Sequence, residues 1–238
     1  MKLVQSFRSL LFLFGQVVSA GLYSLFAVAI WPLPPVQRAR LISGWAHFII
    51  CWLRLTCNLG YRVEGLENLP QKPSVILSKH QSAWETIAFQ VIFPPLAFIL
   101  KRELFYIPLF GWGLAATSPI VINRERARAA LVSVTKQGKA RLKEGRWIVI
   151  YPEGTRIAPG EQGEYKSGGA LLASQAKALA VPVAHNAGSF WPKSGFLRKP
   201  GTITVAIGPA INTEGKKVRD ITKEAEQWIQ QTMARLES

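Results

Sequence analysis

The sequence predicts an α/β fold, with a mostly parallel central sheet flanked by helices and preceded by an N-terminal two-helix, membrane-embedded hairpin. Three observations support this prediction. Short apolar runs typical of buried strands alternate with helical segments along most of the chain. An uncharged run extends from Ser9 to Gln37, and no acidic residue occurs before Glu64. We therefore divide the chain into a membrane-associated hairpin, residues 1–60, and a larger domain, residues 61–238.

The composition excludes several classes of protein. The 238 residues include 29 Lys and Arg against 14 Asp and Glu, a net charge of +15, yet 49% of them are hydrophobic. Disorder requires low hydrophobicity, and a disulfide scaffold requires more cysteines than Cys51 and Cys57. A nucleic-acid-binding protein would share the charge without the apolar character, and we find no nucleic-acid-binding motif. The remaining class is a basic protein that lies against an anionic membrane.

The N-terminal region contains two apolar runs of different length. The first, Leu10 to Trp31, has 22 residues, and as a helix it could cross a hydrocarbon core of about 30 Å. Prolines at 32, 34 and 35 end it. The second, Leu41 to Leu53, has only 13 residues, which is typical of a re-entrant or interfacial helix.

Basic residues lie before, between and after these two runs. A full crossing by the first helix would put Arg38 and Arg40 on the outer side, against the positive-inside tendency. This pattern favours a hairpin that dips into one anionic leaflet, with a true span as the alternative. A cleaved signal peptide, with residues 18–20 as its cleavage site, is a further alternative. It is disfavoured because the apolar run continues to Trp31.

The larger domain alternates strands and helices, which indicates parallel pairing. The predicted strands are residues 74–78, 96–100, 119–122, 147–151, 181–184 and 202–207. The predicted helices are residues 82–92, 124–144, 167–179 and 218–236. Gly145 is the expected stop of the second of these helices, and the last helix places Ile221, Ala225 and Ile229 on one face.

Two histidines follow apolar strands, where ligands collect in open α/β sheets. His80 and His185 occupy such positions, whereas His47 lies inside the second apolar run. If His80 lies in the turn before a helix and Glu85 in its first turn, Glu85 could accept a hydrogen bond from one imidazole nitrogen. The other nitrogen would then be free to act as a base. A histidine that caps a helix beside a surface glutamate would give the same spacing, so the pair alone leaves both interpretations open.

Cationic residues also follow the strands. The strand 147–151 leads into residues 151–156, Tyr-Pro-Glu-Gly-Thr-Arg, and a glycine turn with a hydroxyl and an arginine can hold an oxyanion. Lys101 and Arg102 follow the second strand, and Lys166 precedes a helix. Each could be a solvated surface charge by itself, but several at strand ends indicate a phosphate-bearing substrate.

Four blocks of sequence, in this order, resemble those of the glycerophospholipid acyltransferase family, whose members include the bacterial 1-acylglycerol-3-phosphate acyltransferases. The blocks are residues 80–85, 101–104 leading to 107–112, 151–156 and 181–186. The third block is the most specific of the four. The family usually has aspartate where this chain has Glu85, and the one aspartate of the chain, Asp220, lies far away in sequence.

The resemblance implies a reaction and roles for individual residues. The reaction is transfer of a fatty acyl group from acyl-CoA or acyl carrier protein to the sn-2 hydroxyl of lysophosphatidic acid, which yields phosphatidic acid for phospholipid biosynthesis. His80 is the implied general base and Glu85 its orienter, while Lys101 and Arg156 bind the acceptor phosphate. The other predicted substrate-binding residues are Arg102, Glu153, Gly154, Thr155 and Lys166. We expect no metal, no cofactor and no covalent acyl-enzyme.

The resemblance also implies a bacterial inner-membrane protein whose catalytic domain lies on the cytoplasmic side. Two alternatives remain open from the sequence. The acceptor could be another lysophospholipid or a lyso-ornithine lipid. More remotely, the chain could be a non-enzymatic, membrane-bound protein that binds anionic lipid, although this would not explain a histidine–acid pair at a strand end.

Overall fold

The structure is a computed structural model that describes residues 2–122 and 127–237. Within these ranges, seven strands form one sheet in the order β1-β7-β6-β2-β5-β3-β4. The strands are β1 (Leu59–Glu64), β2 (Val75–Ser78), β3 (Leu96–Lys101), β4 (Ile120–Ile122), β5 (Trp147–Ile150), β6 (Ala180–His185) and β7 (Gly201–Ile207). All neighbouring strands pair in parallel except β6 and β7, which are antiparallel. The predicted mostly parallel sheet is confirmed.

Helices cover both faces of this sheet. They are α1 (Lys2–Ala29), α2 (Pro35–Cys57), α3 (Trp84–Ile92), α4 (Phe110–Ala116), α5 (Ala127–Lys143), α6 (Gly168–Ala176), α7 (Ala187–Phe190) and α8 (Val218–Glu237). Side chains of α1, α2 and α3 share one buried cluster with the sheet, and those of α5, α6 and α8 share the other. The sheet therefore lies between two helical layers.

The central strands are short and apolar because both of their faces are covered. All four residues of β2 are buried, and all six of β6, as expected for parallel strands in the middle of a three-layer domain. Their carboxyl ends meet at one edge of the sheet. At this edge, His80 follows the end of β2, Tyr151 follows the end of β5, and Lys101 is the last residue of β3.

Several element boundaries differ from the prediction. The edge strand β1 escaped prediction because its charged positions, Arg62 and Glu64, interrupt the apolar run. The second N-terminal helix extends over 23 residues instead of 13, since Arg38, Arg40 and Arg54 lie within it. The helix predicted at 124–144 is observed over Ala127–Lys143 and stops before Gly145, while residues 124–126 lie outside the described ranges.

The two N-terminal helices pack against each other and against the sheet. The Trp45 indole of α2 donates to Ser19 Oγ of α1 at 3.1 Å. Phe12 and Leu53 are fully buried in the same cluster as the sheet residues. By length and composition α1 could cross a membrane. The division at residue 60 stays a prediction, because both helices contribute to the core of the larger domain.

Buried Arg38 joins the turn between α1 and α2 to the α/β domain. Its guanidinium donates to the Trp31 carbonyl at 2.8 Å and to Ser118 Oγ at 2.7 Å, and it lies over the Trp31 ring. A residue predicted to face the membrane surface is thus engaged inside the protein. This contact holds the hairpin in a defined orientation on the domain.

Candidate active site

A single groove of about 1050 Å³ runs along the carboxyl edge of the sheet. Six of the predicted site residues line it, namely His80, Lys101, Gly154, Thr155, Arg156 and Lys166. Apolar side chains such as Ile87, Phe98 and Phe110 line it as well, and Gln16 and Arg40 contribute from the N-terminal helices. The groove thus combines an apolar interior with a cationic lining, which suits an amphipathic ligand.

His80 and Glu85 form the hydrogen-bonded pair that the sequence predicted. His80 follows β2, and its Nδ1 lies 2.8 Å from Glu85 Oε1. The Glu85 side chain is fully buried, whereas the His80 side chain is 15% exposed and borders the groove. No described residue forms a hydrogen bond with His80 Nε2. When Nδ1 donates to Glu85, Nε2 is the acceptor that a general base requires.

The extra methylene of glutamate is accommodated by the start of α3. Glu85 is the second residue of this helix, and its carboxylate turns back to accept the backbone N–H groups of Gln81 at 3.0 Å and Ser82 at 2.8 Å. Burial raises the pKa of Glu85, but the charges and hydrogen bonds of His185, His80 and Ser82 outweigh it and hold the pKa below its usual value. Glu85 therefore remains a carboxylate beside the imidazole.

Tyr151 fixes the imidazole plane. Its ring stacks on that of His80, with centroids 3.9 Å apart and 14° between the planes. Burial raises the pKa of the Tyr151 phenol well above its ordinary value, so this side chain contributes a neutral aromatic face. An imidazolium against such a face gains cation–π stabilisation.

The backbone of the His80 turn, residues 79–82, is braced by the loop that follows β5. The His80 N–H donates to Glu153 Oε2 at 3.0 Å, and the His80 carbonyl accepts from the Ile157 N–H at 2.8 Å. The other Glu153 oxygen accepts from buried Lys79 at 2.6 Å. Glu153 thus ties together two of the sequence blocks. A substrate contact by Glu153 stays a prediction, since in this structure both of its oxygens contact the His80 turn.

His185, the other histidine at a strand end, is a structural residue in this fold. It is fully buried, its Nε2 donates to the Lys79 carbonyl at 2.9 Å, and its Nδ1 accepts the Ala187 N–H at 3.3 Å. Burial lowers its pKa, although nearby carboxylates oppose this effect. With both nitrogens engaged, His185 supports the His80 turn and has no access to the groove.

The cations of the groove are held much more loosely. Lys101 and Lys166 are exposed, and Arg156 is partly exposed. Gly154 has a φ of +68°, a conformation that favours glycine, and Lys166 Nζ lies beside this turn, 3.5 Å from where a Cβ would be. These cations line the same groove as His80, and such groups suit a phosphate.

Arg102 is placed differently from its neighbour Lys101. It begins the 3₁₀ segment Arg102–Tyr106 and is exposed, and it is not among the described residues that line the groove. Its predicted role at the substrate stays a prediction. The backbone turns at the end of β3, which separates two side chains that are adjacent in sequence.

Two contributors to the site were absent from the sequence prediction. Glu237, near the end of α8, accepts from Gln81 Nε2 at 2.7 Å and from the Gly160 N–H at 2.9 Å. Gln81 in turn accepts the Gly188 N–H at 3.1 Å.

The second contributor is Lys193. It lines the groove and donates to the Arg156 carbonyl at 3.0 Å. No local sequence signal reveals these contacts, because the partners lie between 37 and 156 positions apart.

Comparison with known proteins places this architecture in a family. The sequence model named Acyltransferase matches residues 60–186. A 1-acyl-sn-glycerol-3-phosphate acyltransferase of Pseudomonas aeruginosa is 44% identical, over 99% of this chain and 94% of that protein. The enzyme of the same name from Saccharomyces cerevisiae is 29% identical, over 83% of this chain and 66% of that protein.

A solved structure agrees with the fold. The crystal structure of the 1-acyl-sn-glycerophosphate acyltransferase PlsC from Thermotoga maritima superposes with a TM-score of 0.83, covering 100% of this chain and 98% of that one at 22% identity. At this identity the likeness supports the fold alone, so the family assignment depends on the sequence matches. Those matches confirm the resemblance carried by the four blocks: this chain belongs to the acyltransferase family, together with the 1-acyl-sn-glycerol-3-phosphate acyltransferases that it resembles.

Proposed function

We propose that this protein transfers a fatty acyl group from an acyl thioester to the sn-2 hydroxyl of lysophosphatidic acid, which yields phosphatidic acid. The observation that carries the proposal is the His80–Glu85 pair at 2.8 Å, set beside the cations of the groove. The names of the relatives support the choice of acceptor. Acyl-CoA and acyl carrier protein are the two candidate donors.

His80 acts as the general base in this proposal. Nε2 takes the proton of the 2-hydroxyl while the hydroxyl oxygen forms a bond to the thioester carbonyl carbon. Glu85 accepts from Nδ1 throughout and stabilises the imidazolium, and the face of Tyr151 adds to this stabilisation. Collapse of the tetrahedral intermediate breaks the carbon–sulfur bond, and the departing thiolate takes the proton back from the imidazolium.

Binding of the acceptor divides between the two parts of the groove. Arg156, Lys101 and Lys166 receive the phosphate, and the forked donors of Arg156 suit its oxygens. The apolar lining receives an acyl chain. Direct attack by the acceptor requires no covalent acyl-enzyme, metal or further cofactor. Ser82, two residues after His80, is fully buried and its Oγ accepts the Trp84 N–H.

The membrane supplies the acceptor in this proposal. We propose that α1 and α2 lie in one leaflet of the bacterial inner membrane and hold the catalytic domain on the cytoplasmic side. The exposed face of α1 carries large apolar side chains, including Phe7, Phe14 and Leu22, and exposed apolar surface of this kind is favoured in lipid.

A product assay with purified protein tests the reaction. Labelled acyl-CoA and labelled acyl carrier protein are each offered with lysophosphatidic acid, other lysophospholipids, a lyso-ornithine lipid and monoacylglycerol as the phosphate-free control. We expect phosphatidic acid as the main product and poor use of monoacylglycerol. Equal use of monoacylglycerol would overturn the phosphate assignment, and a product from the ornithine lipid alone would favour that acceptor. The absence of any acyl transfer would leave a lipid-binding protein.

A further inference from the structure

A second apolar surface lies outside the N-terminal helices, in the segment Tyr106–Trp112. Five of its seven residues have large, apolar side chains that are exposed, by 68% for Tyr106, 45% for Ile107, 40% for Leu109, 37% for Phe110 and 53% for Trp112. A cluster of this kind is unfavourable in water and typically marks a contact with a partner or a membrane. Neither the fold nor the proposed acyl transfer explains why these side chains face outward.

The backbone holds these side chains in their outward positions. Leu109 adopts φ +62° and ψ −58°, a conformation that non-glycine residues rarely adopt. The Gly111 N–H donates to the Ile107 carbonyl at 2.8 Å, and a Cβ on Gly111 would lie 2.3 Å from the Phe105 carbonyl oxygen. The segment is therefore a tightly folded turn, and the exposure of its apolar side chains is part of its structure.

Helix α4, whose first three residues belong to this segment, packs against the C-terminal half of α1. A Cβ on Gly113 would lie 2.7 Å from Ser24 Oγ, so glycine permits a close approach of the two helices. Ala116 shares a small buried cluster with Ala27 of α1 and Ile42 of α2. The apolar turn is thus fixed next to the C-terminal end of α1, which exposes Leu25 and Val28.

The chemistry of the turn matches a membrane interface. Tyr and Trp favour the boundary between hydrocarbon and headgroups. Exposed Lys101 and Arg102 lie five and four residues before the segment, next to exposed Glu103, so this stretch keeps a net positive charge that attracts anionic lipid. Phe110 lines the groove together with Lys101 and His80, so the apolar surface continues into the site itself.

We propose that the segment 106–112 is a second lipid-contacting surface, which inserts into the same anionic leaflet as α1 and brings the opening of the groove to the headgroup level. The inference deepens the proposed function, because a lysolipid could then enter the groove without leaving the membrane. Membrane contact can be measured without turnover, so failure of this inference and failure of the proposed acyl transfer are distinguishable.

A depth measurement on the full-length protein tests the inference. In a Cys51→Ser background, Ile107→Cys or, as a second site, Tyr106→Cys is labelled with an environment-sensitive fluorophore and reconstituted into phosphatidylcholine–phosphatidylglycerol vesicles. The matched control is Val132→Cys, a site that is 66% exposed on α5, across the sheet from α1. We expect quenching by spin-labelled lipid at 106 and 107 and quenching by aqueous iodide at 132. Iodide quenching at 106 and 107 equal to that at 132 would overturn the proposal.

A kinetic measurement provides a second, independent test. Tyr106→Ser combined with Trp112→Ser changes two side chains outside the groove lining. We expect the KM for lysolipid presented in vesicles to rise by about threefold to tenfold, which corresponds to about 0.7–1.4 kcal/mol for the two changes together. The KM for a short-chain, water-soluble lysolipid should stay unchanged. An equal rise for both forms of acceptor would contradict a membrane role for this surface.

Discussion

The candidate active site contains two sets of polar side chains that differ in how tightly they are held by other residues. Around His80, Glu85 and Glu153 are buried, and their carboxylate oxygens accept hydrogen bonds from the His80 turn. Lys101 and Lys166, by contrast, extend into the groove from exposed positions. The chemical step requires an imidazole in one orientation, whereas a phosphate can be held by cations that adjust after it binds. We therefore expect substitutions in the first set to lower kcat, and substitutions in the second set to raise the KM for the acceptor.

Loss of the base should have the largest effect. His80→Ala removes the acceptor of the 2-hydroxyl proton, and we expect kcat to fall by about 10³- to 10⁴-fold. Near-wild-type far-ultraviolet circular dichroism and vesicle binding would show that the variant is folded. Activity close to that of the wild type would disprove the assignment of His80 as the base.

Loss of the orienting charge should come next. Glu85→Gln replaces one carboxylate oxygen with an NH₂ group, which cannot accept a hydrogen bond, and removes the negative charge beside the imidazole, so we expect kcat to fall by about 10²-fold. Glu85→Asp keeps the charge but shortens the side chain by one methylene, so about a tenfold loss is expected. Full activity of the aspartate variant would show that catalysis does not require the longer glutamate side chain to contact the backbone of the His80 turn.

Substitution of a loosely held cation should weaken binding of the acceptor and leave the rate of the chemical step nearly unchanged. Arg156→Ala removes the forked donor, and we expect the KM for the phosphate-bearing acceptor to rise by about tenfold to a hundredfold, for a charged hydrogen bond worth about 1.5–3 kcal/mol. At saturation kcat should change little. Arg219→Ala is the matched control, because that arginine is exposed on α8 and lies outside the groove lining. An equal KM change in both variants would contradict the placement of the two arginines.

The smallest effect on kcat is expected at Glu237, which contacts the His80 turn only through Gln81. Glu237→Ala frees Gln81 and Gly160 from the end of α8, so we expect kcat to fall by about threefold to tenfold with the KM nearly constant. Gln227→Ala, on the exposed face of the same helix, is the matched control and should behave as the wild type. A change in KM without a change in kcat would assign Glu237 to the loosely held set instead.

The sequence by itself determined the fold class and much of the site. Apolar runs such as 147–151 and 181–184 are local patterns typical of buried strands, and their alternation with helices was enough to predict a parallel sheet. The carboxyl ends of such strands share one edge, which placed His80 and residues 151–156 together before any contact was known. The match of the sequence blocks to a family added the chemistry.

Only the tertiary structure decided which of these side chains share the groove. Lys101 lines it and Arg102 does not, because the chain turns at the end of β3. Glu85 reaches His80 because α3 begins where its carboxylate can also accept two backbone N–H groups. The contact between Gln81 and Glu237 joins residues 156 positions apart. Such proximity depends on how helices pack on the sheet, and a local pattern of residues carries no information about it.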